Sequence, residues 1–160
     1  MSTSATTPPP DSLPLLVAQY AITGHFRRTE HWSLIVPKSR AEATLFELHG
    51  QMDAFVYKTE PLTAFSSAPD LRGGVQVGWV PRARLEDGSV SELLARGRIV
   101  RNDRDFDCQL WIMEALESLR KEGWLFETVN EDWVREELKL DYTRWEKGED
   151  TVDKRLFPEA

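Results

Sequence analysis

Asp103-Arg-Asp-Phe-Asp-Cys-Gln-Leu-Trp-Ile-Met-Glu-Ala-Leu-Glu-Ser-Leu119 holds the chain's only cysteine and its clearest helical pattern. Cys108, Trp111, Ile112, Ala115, Leu116 and Leu119 recur at the spacing of one helix face, so the cysteine begins the stripe that faces the core. Asp105 and Asp107 stand just ahead of it, where the first unpaired N–H groups of a helix need oxygen acceptors. Gly123 marks the expected end. Cys108 in a first helical turn meets converging amide dipoles, which favour a thiolate and can hold the oxyanion formed when sulfur attacks an acyl carbon. Unpaired Asp105 and Asp107 would work against that by raising the thiol pKa. A lone cysteine on a core stripe also has a plain reading, as a small buried apolar residue.

Working outward, the preceding segments read as strands. His31-Trp-Ser-Leu-Ile-Val36 is rich in strand formers and is closed by Pro37. Alternation puts His31, Ser33 and Ile35 on one face, and Trp32, Leu34 and Val36 on the other. Ala43 to Gly50 follows after a polar link, with Leu45, Glu47 and His49 on one face, so the two segments form an antiparallel hairpin with a loop. Leu15 to Thr23 is a first strand ending at Gly24, and His25 to Glu30 a polar link. A further strand is expected at Asp53 to Lys58, a loop at Pro61 to Gly74, and another strand from Val75 to Val80.

Ser89 to Ala95 is a short helix, with Ser89 and Ser91 available as caps and Glu92 placed for a capping box. Asn130-Glu131-Asp132 caps a last helix carrying Trp133, Val134, Leu138, Leu140 and Trp145. The expected fold is α+β, an antiparallel sheet packed on the cysteine-bearing helix. Residues 1–12, made largely of Ser, Thr and Pro, read as a disordered leader, and 13–160 as a single domain.

Composition narrows the function. A formal charge of -7 and a pI near 5.0 argue against nucleic-acid binding, and the Arg27-Arg28 and Arg82, Arg84 pairs read as solvated surface. One cysteine makes no internal disulfide, and no apolar run suffices for a signal peptide or a membrane span. A reducing, cytoplasmic location follows as an expectation. Three histidines and one cysteine without close ligand spacing argue against a metal site, and no cofactor is expected.

A thiolate nucleophile needs an imidazole to exchange its proton and a third polar group to fix the ring. His31, at a strand start, is the best base for Cys108. His49 on the paired strand is the expected third member, with Glu47 on the same face as reserve and His25 as a possible cleft residue. The competing readings are that His31 bonds only to backbone at a strand edge and that His49 is exposed at a turn.

The segments His31 to Lys38, Thr44 to Gly50 and Asp107 to Trp111, followed by Ala115, Leu116 and Leu119, resemble a fungal domain family of unknown function over about Tyr20 to Trp124. The order strand histidine, second-strand polar residue, helix cysteine is also similar to the circularly permuted papain-like superfamily. That group includes lecithin:retinol acyltransferase-like enzymes and PPPDE-type isopeptidases, relatives of NlpC-type peptidases. The resemblance implies a permuted papain-like fold, Cys108 as nucleophile, His31 as general base and His49 as the orienting residue. The chain departs in its longer His31 to His49 spacing and in Asp107 standing where the acyltransferases carry Asn before Cys.

Two functions are therefore expected. One is a thiol hydrolase or acyltransferase acting on an amide or ester of a small molecule or peptide. The other is a catalytically silent module that binds a protein partner through some of Trp32, Trp79, Trp111, Trp124, Trp133 and Trp145. No sustained heptad specifies an oligomeric state.

Overall fold

Strand formers and alternation build the sheet as expected, in an order that returns the chain beside its start. The computed structural model describes residues 8–25 and 28–158. β1 (Ser12–Ala21), β2 (Glu30–Pro37), β3 (Glu42–His49), β4 (Val56–Thr63) and β5 (Leu71–Pro81) form one five-stranded sheet in the order β4-β3-β2-β1-β5, every neighbour antiparallel. Residues 1–7 of the expected leader lie outside the described residues, and Ser12 is already the first residue of β1.

Helices follow the sheet: α1 (Arg82–Glu86), α2 (Ser89–Ala95), α3 (Cys108–Lys121), α4 (Glu131–Glu146) and α5 (Val152–Leu156). The architecture is thus α+β. α3 begins at Cys108, and all six residues of its expected stripe are buried. They pack with Trp32, Leu34, Val36, Phe46 and Leu48 from one face of the sheet, together with Val134 and Leu138 of α4. The opposite face buries Ile35 and Leu45 against Phe65, Leu71 and Val152. Alternation along β2 and β3 therefore divides the side chains as the pattern requires.

Caps explain the helix starts. Asp107 accepts from the Leu110 N–H at 2.9 Å, and Asn130 from the Trp133 N–H at 2.8 Å. Gly123, at φ 81, ends α3 in the left-handed conformation while the Trp124 N–H returns to the Leu119 carbonyl. Past α3 the chain lies against β5 so closely that a Cβ on Gly78 would stand 1.9 Å from the Trp124 carbonyl oxygen.

Four local expectations are corrected. Residues 61–74 are not one loop: β4 runs on through Pro61 to Thr63, a short 3₁₀ turn covers Phe65–Ser67, and β5 begins at Leu71. Proline fits because β4 is the sheet edge, where a ladder donor is dispensable. The strand expected at Asp53 to Lys58 begins only at Val56, and β1 stops at Ala21 short of Gly24. Neither Ser89 nor Ser91 caps α2: Gly88 takes the N-cap at φ 85, the Asp87 carboxylate accepts from the Ser89 N–H, and Ser91 bonds the Tyr57 hydroxyl instead. α1 and α5, five residues each, are too short to leave a periodic signal.

Candidate active site

Antiparallel pairing brings the end of β1, the start of β2 and the end of β3 to one rim of the sheet. There the β2–β3 ladder opens. Its paired stretch runs from Pro37↔Ala43 to Leu34↔Phe46 and stops short of His31. Side chains take over where the ladder ends: Glu47 Oε1 lies 2.8 Å from His31 Nε2 and accepts from the Ser33 hydroxyl at 2.7 Å. The first turn of α3 sits against the same rim, because the buried Gln109 side chain donates to the Glu30 carbonyl at 2.9 Å.

His31 lies between two partners. Glu47 occupies its Nε2, which leaves Nδ1 as the nitrogen for other chemistry. Burial acts to lower the ring's pKa. Hydrogen bonding with Cys108 and with Glu47, followed by the charges of both, outweighs burial and raises it to about 10. Glu47 moves the opposite way: burial raises its pKa, but the hydrogen bond and charge of His31, then Ser33 and Lys58, hold it below the usual carboxylate range. At neutral pH the pair is an imidazolium and a carboxylate.

Cys108 is 6% exposed and lines a cleft of about 370 Å³ together with His31, His25, Gln51, Met52 and Phe106. The negative charge beside it is paired, since Asp107 receives the Arg28 guanidinium at 2.8 Å. Among the described residues the amides of Cys108 and Gln109, ahead of the first intrahelical bond, have no acceptor. The rim thus assembles a sulfur, a proton-carrying ring, a carboxylate behind it and two amide donors.

The three residues expected at the site are placed differently from one another. Cys108 and His31 come together. His49 does not hold the His31 ring: its side chain is 55% exposed, and its Nδ1 reaches the other oxygen of Glu47 at 3.4 Å. Glu47, the expected reserve, stands there instead, because its side chain spans the gap left where β2 and β3 part. His25 lines the cleft, but its Nδ1 accepts the Arg28 N–H at 2.9 Å.

Three contributors are invisible to local pattern. Gln109 Oε1 accepts from Arg135 at 2.8 Å, and Arg135 lies 4.7 Å over the Trp32 ring, so α4 braces the residues on either side of His31. Arg28 neutralises Asp107 from a distant segment. Ser33 did carry a signal, its place on the His31 face. Among the described residues no group of acids, histidines and cysteine fits a metal ion, and no helix is long and apolar enough to cross a membrane.

A model described as a family of unknown function (DUF6540) matches residues 18–126, a span that contains His31, Glu47, His49 and Cys108 but ends before α4. No curated protein and no solved structure matches.

Proposed function

The chain belongs to this family of unknown function, DUF6540, and from the geometry of its rim we propose that it is a thiol hydrolase or acyltransferase acting on an amide or ester. The observation that carries the proposal is the single imidazole set between a buried carboxylate and the cleft-lining cysteine. Glu47 fixes the ring and stabilises its charge, as the third member of a catalytic triad does. In the reactive form the proton rests on His31 and the negative charge on Sγ. The sulfur then attacks the carbonyl carbon, the amides of Cys108 and Gln109 receive the oxyanion, and His31 gives its proton to the leaving atom. Water or an amine releases the acyl group, with His31 accepting the proton of the incoming nucleophile.

A strand histidine, a second-strand acid and a helix-borne cysteine, in that chain order, support a circularly permuted papain-like arrangement in which Glu47 takes the orienting role.

The test is acylation by p-nitrophenyl acetate, followed by release of nitrophenol and by the mass of the intact protein. The expected result is a rapid burst of one equivalent with the acetyl group on Cys108, absent in Cys108→Ser. In His31→Ala it is slower by about 100-fold, the scale of general acid–base assistance. Equal acylation rates for the native protein and His31→Ala would contradict the proposal.

A further inference from the structure

A second cavity, of about 490 Å³, opens on the sheet face that carries His31 and Glu47. It shares His31 and Ile22 with the cysteine cleft, yet Cys108 does not line it. Leu45, Leu62, Phe65 and Ala68 give it apolar walls, and Tyr20, Thr63, Ser67 and Asp70 add polar groups to those of His31 and Glu47. No lysine or arginine lines it among the described residues. Asp70 is exposed at its edge, and no cation is paired with that carboxylate among the described residues. The negative field reaches inside: burial, then the charges of Glu47 and Asp70, push the Tyr20 phenol up, so it remains a neutral O–H donor.

Its position relative to the two reacting groups assigns its role, and this step rests on the acyl-transfer reading above. When Cys108 Sγ bonds to the carbonyl carbon of an amide, the carbon–nitrogen bond breaks and His31 delivers its proton to the departing nitrogen. The acyl part stays with the sulfur, in the cysteine cleft. The departing nitrogen meets His31 at Nδ1, and the group attached to it has a way past the ring and Ile22, which line both cavities. Water then adds to the thioester carbon, the carbon–sulfur bond breaks, one water proton passes through His31, and carboxylic acid and amine are the net products.

We infer that the cavity beyond His31 holds the leaving portion of the substrate, a primary amine with an apolar body. Apolar walls match the body, and among the described lining residues the His31 imidazolium is already balanced by Glu47, so the remaining carboxylate, Asp70, favours an ammonium over a carboxylate of the same shape.

The experiment uses the full chain carrying Cys108→Ala, which removes the chemistry, and measures binding of hexylamine and hexanoate by calorimetry. Hexylamine is expected to bind at least tenfold more tightly than hexanoate. Asp70→Lys, at an exposed position, is expected to remove that preference, and Ala68→Trp to abolish hexylamine binding by filling the cavity. Equal or tighter binding of hexanoate, no saturable binding of hexylamine, or hexylamine affinity unchanged by both substitutions would overturn the inference. If binding fails in these ways while Cys108 acylation still depends on His31, the amine cavity alone is overturned. If hexylamine binds as expected but acylation does not depend on His31, the proposed function falls and the leaving-group role falls with it.

Discussion

Two of the buried carboxylates, Asp141 and Glu47, have partners that differ in kind. Asp141 on α4 is 3% exposed and is met by fixed groups: the Gly74 N–H at 2.8 Å and the guanidinium groups of Arg144 at 3.0 Å and Arg155 at 2.6 Å. Glu47 on β3 is 8% exposed and is met by a hydroxyl and by one titratable ring that also faces a cysteine. Arginine stays charged at every working pH, so the side chains that meet Asp141 have no proton to give up. The Glu47 cluster has a proton that can leave. Equal burial therefore serves two ends: the first joins α4 and α5 to β5, and the second holds a proton beside a sulfur.

This contrast can be broken experimentally, and the largest expected effect is on the structural side. Asp141→Ala leaves the Gly74 N–H without its acceptor and frees two arginines to solvent, which costs about 2–3 kcal/mol of stability by denaturant unfolding. Cys108 acylation by the folded protein should be unchanged. A large loss of acylation with native-like stability would reverse the two roles.

Next comes the dependence of stability on pH. The folded pKa of His31, about 10, lies above its unfolded value of about 6.5, so the ring's contribution is complete below pH 6.5 and is lost as pH rises through 10. With the ring partly open to water, the native protein should lose on the order of 1–2 kcal/mol relative to His31→Gln across that window. Parallel stability curves for the two proteins would remove the ion pair from the account.

Glu47→Gln keeps the size of the side chain but removes the charge behind the ring. Acylation should slow by about tenfold, and the rate should shift toward the pH dependence of an unpaired imidazole. The smallest effect is expected at His49. With its side chain 55% exposed and only a 3.4 Å contact to Glu47, His49→Ala should change acylation by less than about twofold and stability by less than about 0.5 kcal/mol. A loss at His49 larger than at Glu47 would restore the histidine to the orienting role.

How far the sequence reveals this arrangement depends on the range of the interaction. α3 is legible because its stripe, its Asp107 cap and its Gly123 stop are all local. The alternation of β2 and β3 likewise puts His31, Ser33 and Glu47 on one face before any contact is known. What alternation cannot show is that the two strands part beyond Leu34, and that parting decides that Glu47 rather than His49 reaches the ring. Gln109 and Arg135 pair across 26 positions, and Arg28 and Asp107 across 79, with no periodicity to announce either pair. The region 61–74 misleads for the opposite reason: its Pro, Ser and Gly are loop formers by composition, yet an edge strand accepts Pro61, and β5 accommodates Gly73 and Gly74 against Asp141.

The central claim is that Cys108, His31 and Glu47 act on one proton, and a pH titration of the His31 ring by NMR tests it most directly. The ring is predicted to titrate near pH 10 in the native protein and at a clearly lower pH in Cys108→Ala, since the thiol contributes to the shift. Titration near the ordinary value of about 6.5, or the same midpoint with and without the sulfur, would contradict it.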